Sequence, residues 1–345
     1  MRILFIGPML GRHTNHVPNP AEELAPRLRE KGYACTLASF QPNRYLRVLD
    51  MLAAIAKNAR NTDIISLQTY SGPSFLVEDA VSWLARCLRL RLVMVLHGGA
   101  MPEFNAAHPG WTHRVLGRAQ SLVTPSVFVQ AEMAKSAFTV QVIPNGMDIS
   151  RYSFRLRHQA GPRLLWLRAF HAIYQPQMAV RVLAQLADEF PDLTLTMIGP
   201  SYKDSALADT QRLASQLGVT GRLQMVGYVP KAELPGWLER GEIFLNTTRY
   251  ESFGISAMEA AATGLPIVTT NAGELPYLWQ HGQNALLTSP DDVTAMAAAV
   301  RAILMNNDLC AQLSLAARQK AEQYDWPVVL PYWEDLFRGM MEQRL

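Results

Sequence analysis

Residues 249–266 have the sequence RYESFGISAMEAAATGLP, in which a helix-forming run lies between two glycines. Gly254 breaks the extended segment before it, and Gly264 followed by Pro266 is typical of a helix C-terminus. The pattern therefore predicts a strand, a short turn and a helix that begins near Gly254. Two glutamates flank that start, because Glu251 precedes the turn and Glu259 lies about one helical turn inside the helix.

Short apolar runs alternate with longer helical patterns on both sides of this stretch. The first half contains RILFIG, CTLASF, DIISLQ, RLVMVLH, SLVTPS and VQVIPNG, and the second contains RLLWLR, LTLTMIG, RLQMVGY, EIFLNTT, LPIVTT and ALLTSP. Runs that are apolar at successive positions are typical of parallel strands covered on both faces. The sequence therefore predicts an α/β fold with two doubly wound, Rossmann-like domains in tandem.

The boundary between the two domains is expected in residues 148–162, DISRYSFRLRHQAGP, which are polar and lack periodicity. We predict domains at 1–150 and 151–325, with a last helix at about 326–345 that packs back on the first. Two such domains that face one another would leave a cleft, and ligands of such sheets bind outside the carboxyl ends of the strands.

Composition narrows the functional classes. The chain has 345 residues, 49% of them hydrophobic, and a net charge of +3, which argues against disorder and gives no general case for nucleic acid. No apolar run reaches the roughly 18 residues of a membrane span, so a cytoplasmic location is expected. The amphipathic residues 45–60 favour a helix that covers a sheet, and peripheral contact with the inner membrane face is the less favoured alternative.

The helix start near Gly254 is a candidate anion site, because its first backbone N–H groups are unpaired and the helix dipole favours negative charge. Carboxylates on either side could accept hydroxyl hydrogen bonds from a ribose and from a sugar. Taken alone, this spacing favours an ordinary acidic helix start. Arg168, at the end of a strand, is rarely a core residue, since a buried unpaired charge costs several kcal/mol.

The wider stretch ESFGISAMEAAATGLPIVTTNAG resembles the signature of glycosyltransferase family four, the retaining GT-B-fold nucleotide-sugar glycosyltransferases. The resemblance extends to MRILFIGP, ELAPRLREKGYACTL, VIPNGMD and VGYVPKAELPGWLERGEIFL. It implies a hexosyltransferase that acts on a saccharide, lipid-linked or small-molecule acceptor, with polysaccharide biosynthesis as its setting. The donor would carry UDP or GDP, with no separate cofactor and no metal.

The resemblance also implies roles for particular residues. The backbone around Phe253, Gly254 and Ile255 would hold the diphosphate, Glu259 the ribose, and Glu251 the transferred sugar. The nucleobase pocket would be lined by Gly227, Tyr228 and Val229. The implied catalytic residues are His97, Arg168 and Glu251, and the implied donor-binding residues are Gly11, Gly227, Tyr228, Val229, Phe253, Gly254, Ile255 and Glu259. Tyr228 fits a strand-end position in the core equally well, and His97 could instead be satisfied by loop carbonyls.

Several positions depart from the family pattern or remain open. Gln175-Pro176 stands where the family has Lys-Gly, and Lys203 or Arg249 could supply the missing cation. Glu274 replaces a glycine and Tyr277 a glutamate, which leaves the donor sugar open. In the first loop, possible acceptor contacts are His13, Asn15 and His16. A sugar-nucleotide epimerase of the same fold and a catalytically degenerate sugar-nucleotide-binding protein are the alternative functions.

Overall fold

The computed structural model describes residues 1–12, 18–202 and 204–342. Its chain forms two compact units, one made of Met1–Met147 and the segment that begins at Trp326, the other of Asp148–Asp325. Each unit contains a six-stranded sheet in which every neighbouring pair of strands is parallel. The predicted α/β fold with two doubly wound sheets is confirmed. The assignment of the units to acceptor and donor stays a prediction.

The first unit alternates strands and helices along the chain. Its elements are β1 (Arg2–Ile6), α1 (Pro20–Glu30), β2 (Ala34–Ala38), α2 (Arg44–Asn58), β3 (Ile64–Thr69), α3 (Phe75–Cys87), β4 (Arg91–Leu96), α4 (Met101–Ala107), α5 (Pro109–Leu116), β5 (Ser121–Thr124), α6 (Val127–Ala134) and β6 (Val140–Val142). The strand order is β2-β1-β3-β4-β5-β6. The chain order reverses between β1 and β3, so ligands are expected beyond the carboxyl ends of these two strands.

The second unit repeats this plan. Its elements are β7 (Arg163–Leu167), α7 (Pro176–Leu186), β8 (Thr194–Ile198), α8 (Ala206–Gln216), β9 (Leu223–Gly227), α9 (Leu234–Glu239), β10 (Ile243–Asn246), α10 (Ile255–Ala262), β11 (Ile267–Thr270), α11 (Leu275–Leu278), β12 (Leu286–Thr288), α12 (Val293–Met305) and α13 (Asn307–Glu322). The strand order is β12-β11-β10-β7-β8-β9. Here the reversal lies between β7 and β10.

The last helix, α14 (Trp326–Glu342), completes the core of the first unit. Trp333 and Phe337 of this helix are buried in one cluster with Ile3, Phe5 and Leu24. The rings of Phe5 and Phe337 meet edge to face, with their centroids 6.4 Å apart. The apolar stripe of α14 therefore covers the face of the sheet against which α1 also packs.

Residues 148–162, which the sequence marks as a polar connection, are anchored in the second unit. The guanidinium of Arg157 is buried and donates to the carbonyl oxygens of Arg155, Thr263 and Gly241. Beside it lies the buried carboxylate of Glu242, which forms ion pairs with Arg155 and Arg163 as well. Burial lowers the pKa of Arg157 to about 10, so this guanidinium remains charged at neutral pH.

Helix α2 departs from the prediction that its apolar stripe covers the sheet throughout. Met51 and Ile55, in the second half of the helix, are buried as expected. In the first half, Tyr45 is 67% exposed and Leu49 is 64% exposed. The periodic pattern was sufficient to predict the helix, but it does not show how far along its length the sheet follows.

Candidate functional site

Arg168 and Glu251 form an ion pair at the edge where the strand order of the second unit reverses. Arg168 follows β7 and Glu251 follows β10, and these two strands are hydrogen-bonded neighbours. Thr247, directly after β10, binds the segment that precedes α7. Its hydroxyl donates to the carbonyl oxygens of Tyr174 and Gln175 at 2.7 and 3.0 Å. The structure thus brings together two of the predicted catalytic residues where a doubly wound sheet binds ligands.

The guanidinium of Arg168 is held in a largely buried position. It lies over the ring of Tyr174, with 4.8 Å between the guanidinium carbon and the ring centroid. Burial lowers the pKa of Arg168, while the nearby Tyr174 and Glu259 act in the opposite direction. A cation held without full hydration beside two carboxylates is well suited to bind an anionic ligand group.

Glu259 lies inside α10 and is only 6% exposed. Its Oε1 accepts a hydrogen bond of 2.9 Å from the hydroxyl of Tyr152, which is also buried. Because Tyr152 comes from the polar connecting segment, that segment helps to fix the orientation of the Glu259 carboxylate. A carboxylate positioned in this way can accept further hydrogen bonds from ligand hydroxyls.

The start of α10 has the geometry that the sequence predicts. Gly254 adopts φ 93° and ψ 38°, a left-handed conformation that favours glycine, and the helix begins at Ile255. Oε1 of Glu251 accepts from the N–H groups of Ser252 and Phe253 at 3.1 and 3.4 Å. Among the described residues, the buried hydroxyl of Ser256 has no hydrogen-bond partner. The first turn of the helix therefore offers N–H groups and a hydroxyl for an anion.

The predicted nucleobase residues lie at the end of β9. Gly227 is the last residue of that strand, and Tyr228 is 46% exposed, so the alternative that Tyr228 belongs to the core is wrong. The N–H of Gly199, which follows β8, donates to the carbonyl oxygen of Gly227 at 2.8 Å. A Cβ on Gly199 would overlap the carbonyl oxygen of Arg168, so only glycine allows this close approach.

Gln175 occupies the position of the expected lysine and is bonded to an acid. Its Nε2 donates to the carboxylate of Asp291, which also pairs with Arg249 at 2.8 Å. Its buried Oε1 has no hydrogen-bond partner within the described chain. Arg249 is therefore already neutralised, which makes it a poor substitute for the missing cation. The other candidate, Lys203, lies outside the described residues.

Glu274 and Tyr277 are oriented differently from one another. Glu274 is buried. The pKa of the neighbouring Tyr324 is raised to about 12, mainly by burial and in part by the carboxylate of Glu274. Its N–H donates to the carbonyl oxygen of Glu251 at 2.9 Å. Tyr277 is about half exposed. Glu274 thus supports the backbone under Glu251 from within the unit.

His97 is buried at the end of β4 in the first unit. Its Nε2 lies 2.6 Å from Oε1 of Gln68, and its ring stacks on Tyr70 with 5.4 Å between centroids. Burial lowers the pKa of His97 to about 4, so the ring is neutral at physiological pH. Its partner is therefore a side-chain amide of β3 and not a loop carbonyl.

The first loop is only partly described. The N–H of Gly11 donates to Oε1 of Glu22 at 3.0 Å, and the same carboxylate caps the start of α1. A ligand at Gly11 would therefore have to use other atoms than this N–H. The predicted acceptor contacts His13, Asn15 and His16 lie outside the described residues.

Sequence reasoning missed four residues that shape these sites. Tyr152 orients Glu259, Tyr174 supports Arg168, Thr247 joins two loops, and Gln68 binds His97. Gln68 and Thr247 lie at strand ends, which is a signal that could have found them. Tyr152 lies in a segment without periodicity, so no local pattern marks it.

Comparison with known families now assigns the second unit. Residues 153–320 match the family model described as "Glycosyl transferases group 1". The second unit therefore contains a glycosyl transferases group 1 domain. The resemblance stated from the sequence is confirmed. The description of the matching family names glycosyl transferases, which is the enzyme class that the resemblance implies.

Curated proteins similar to this chain include several named glycosyltransferases. Glycogen synthase of Mycobacterium tuberculosis is 31% identical over 241 residues, which are 64% of this chain and 58% of the relative. D-inositol 3-phosphate glycosyltransferase of Streptomyces avermitilis is 28% identical over 173 residues, 48% of this chain and 37% of the relative. The chain spans about half the length of the curated relatives it matches.

Solved structures confirm the predicted GT-B fold class of this chain. HepE of Anabaena, crystallised with UDP and glucose, has a TM-score of 0.78 at 18% identity, over 98% of this chain and all of that one. Sucrose-phosphate synthase of Thermosynechococcus elongatus has a TM-score of 0.80 at 17% identity, over 98% of each chain. Within residues 1–12, 18–202 and 204–342, no helix is both long and apolar enough to cross a membrane.

Proposed function

We propose that this chain is a retaining, metal-independent glycosyltransferase that moves a hexose from a nucleotide diphosphate to an acceptor hydroxyl. The observation that carries the proposal is the pairing of Arg168 with Glu251 where the strand order of the second unit reverses. This edge supplies one cation for a leaving diphosphate and one carboxylate for sugar hydroxyls. The start of α10, next to Glu251 along the chain, adds N–H groups for the phosphates.

Donor binding in this proposal exchanges the partner of Arg168. The diphosphate takes the guanidinium, which can bind phosphate oxygens in a bidentate manner, and Glu251 becomes available to the hydroxyls of the transferred sugar. Glu259, already oriented by Tyr152, accepts the ribose hydroxyls. As the bond to the sugar breaks, the cation and the helix start stabilise the charge that develops on the leaving diphosphate.

The environment of Glu251 supports a route without a covalent intermediate. Its carboxylate accepts two backbone N–H bonds, which remain when Arg168 turns to the diphosphate, and such bonds reduce the nucleophilicity of an oxygen. We propose that the acceptor hydroxyl attacks from the face that the diphosphate leaves. The departing phosphate takes the hydroxyl proton, and the configuration of the sugar is retained.

The choice of substrates is a further part of the proposal. UDP-hexoses are the first donors to test, because the HepE structure contains UDP and glucose, and GDP-hexoses are the second. The names of the relatives include D-inositol 3-phosphate and 2-deoxystreptamine, which are small hydroxylated molecules. The acceptor is therefore proposed as a saccharide, lipid-linked or small-molecule alcohol, in a cytoplasmic, polysaccharide-forming setting.

The test is to incubate the protein with a panel of UDP- and GDP-hexoses and follow the release of nucleotide diphosphate. Slow hydrolysis, or transfer to an added alcohol, supports the transferase. Interconversion of the hexoses without release would indicate an epimerase, and binding without turnover would indicate a degenerate site. The last outcome has some support in the neutral Gln175 at the position of the expected lysine.

Three variants test the site itself. Glu259→Ala is expected to weaken donor binding about tenfold, and Glu251→Ala chiefly to lower kcat. Glu189→Ala is the matched control, because this glutamate pairs with Arg301 on the surface of the same unit. Wild-type kinetics in both site variants would contradict the assignment.

A further inference from the structure

A cavity of about 550 Å³ lies within the first unit. Gly7 and Pro8, which follow β1, line one side of it, and Leu67, Gln68 and Tyr70, at the end of β3, line another. These are the carboxyl ends of the two strands between which the chain order reverses. The volume falls within the range of about 300–1,000 Å³ that is usual for small-molecule sites.

The walls of the cavity are mainly apolar. They include Val48 and Met51 of α2, Leu67 of β3, and Leu76 and Val77 of α3. Leu76 is 66% exposed, although it is a large apolar side chain at the start of a helix. Large apolar side chains that are grouped around a concave surface and left accessible are typical of a binding site.

The charged residues around the cavity are already engaged. The guanidinium of Arg44 donates to the hydroxyl of Tyr45 at 2.6 Å, and that of Arg47 donates to the carbonyl oxygens of Gln41 and Pro42 at 2.8 and 2.7 Å. Glu78 is buried and accepts from the N–H of Tyr70 at 2.9 Å. Burial raises the pKa of Glu78 to about 8, so its carboxyl is largely uncharged at neutral pH. These hydrogen bonds leave Arg44 and Arg47 charged, so it is the apolar walls that favour an uncharged group, with the two guanidiniums beside it.

One residue of the cavity wall contacts the predicted catalytic residue His97. Gln68 lines the cavity, and its Oε1 is the atom that contacts Nε2 of His97. A ligand whose apolar part fills the cavity would carry a hydroxyl attached to that part toward this polar pair. The apolar walls and the polar end therefore suit the two parts of one molecule.

We propose that this cavity is an acceptor subsite that binds an uncharged alkyl or aryl group attached to the hydroxylated part of the acceptor. The inference rests on the proposed transferase function, and it narrows the acceptor to molecules with an apolar body. A lipid chain and an aromatic ring share this chemistry. They differ in shape, so separate probes can distinguish them.

Calorimetric titration with three neutral glucosides tests the subsite on the full chain. The probes are methyl glucoside, n-octyl glucoside below its critical micelle concentration and 4-nitrophenyl glucoside. We expect the octyl or the nitrophenyl compound to bind at least about tenfold more tightly than the methyl compound, with a negative heat-capacity change. Tighter binding of octyl glucoside indicates a lipid-like acceptor, and tighter binding of the nitrophenyl compound an aromatic one. Equal binding of all three would overturn the proposal.

Two variants on exposed leucines locate the effect. Leu76→Asp places a charge in the cavity wall and is expected to weaken binding of the apolar glucoside about tenfold or more. Leu49→Asp is the matched control, because Leu49 is 64% exposed on α2 and does not line the cavity. Wild-type affinity in Leu76→Asp would refute the subsite. Equal losses in both variants, together with wild-type binding to anionic vesicles, would point to a membrane surface instead.

A parallel titration with UDP separates this inference from the proposed function. UDP affinity is expected to be unchanged in both variants, because every predicted donor-binding residue except Gly11 lies in the second unit and Gly11 does not line the cavity. If the wild type binds octyl glucoside but no nucleotide diphosphate, the transferase proposal fails while the apolar site stands. If it binds UDP but none of the apolar glucosides, the subsite fails while the transferase proposal stands.

Discussion

Replacement of Glu242 by glutamine is the sharpest test of what stabilises the second unit. The Glu242 carboxylate is buried between β7 and β10 with the fully buried Arg157 on one side. Arg155 and Arg163, which are about half exposed, complete the group at 2.7 and 2.5 Å. The substitution keeps the size and shape of the side chain and removes its charge, so it isolates the electrostatic part of these contacts.

The magnitude follows from the burial of each partner. Loss of a half-exposed arginine pair costs at most about 1 kcal/mol, because water screens such pairs. Loss of the charge beside a buried arginine costs about 3–5 kcal/mol, because an uncompensated cation remains in a site of low dielectric constant. Arg157 keeps its three carbonyl acceptors and the glutamine keeps one oxygen, which places the expected loss near 3 kcal/mol.

Hydrogen–deuterium exchange followed by mass spectrometry measures this loss in the second unit alone. Peptides that cover β7 and β10 should open about a hundredfold more often in Glu242→Gln than in the wild type. Glu189→Gln is the matched control, since its pair with Arg301 is 2.7 Å long but exposed, and it should change stability by about 0.5 kcal/mol or less. If both variants exchange alike, the buried pair does not stabilise the unit and the reasoning is refuted.

Three further predictions concern the protonation of Glu78, the binding of the donor and the neutral Gln175 at the position of the expected lysine. The folded pKa of Glu78 is about 8 against an ordinary 4.5, so the first unit should lose about 1.4 kcal/mol of stability from pH 7 to 9. Glu78→Gln should lack this loss in urea unfolding; an unchanged slope would contradict it. Tyr152→Phe removes the donor to Glu259 and should weaken UDP binding by about 1 kcal/mol in calorimetry, with unaltered affinity as the refuting result. Gln175→Lys should tighten UDP binding about tenfold at low salt and less at high salt, and salt-independent affinity would show that the cation does not reach the phosphates.

The strands and helices of this fold were predictable from the sequence because their pattern repeats. Each of the twelve predicted apolar runs overlaps a strand, and the helix from Ile255 to Ala262 begins at the predicted glycine break. Parallel strands buried on both faces are apolar at successive positions, and such runs stand out from the periodic helices between them. The order of the strands and the places where it reverses required the structure.

Contacts between distant segments were not predictable in the same way. Residues 148–162 look like a linker, because a charged residue such as Arg157 is usually exposed. Its burial depends on carbonyl oxygens of Thr263 and Gly241, which are far away in the sequence. The pairing of Arg168 with Glu251 is of the same kind, since each residue lies at the end of a different strand. Local patterns carry no information about such partners.

The backbone at the end of β8 limits how donor preference could change. Ile198 accepts from the N–H of Arg168, and Gly199 donates to Gly227, so the turn after β9 is connected to Arg168 through two consecutive residues. A shift of that turn would therefore disturb the backbone of Arg168 as well. Under the proposed function, new base preferences should therefore arise through the exposed side chain of Tyr228 before they arise through the backbone around it, since the side chain can vary without displacing the backbone of Arg168.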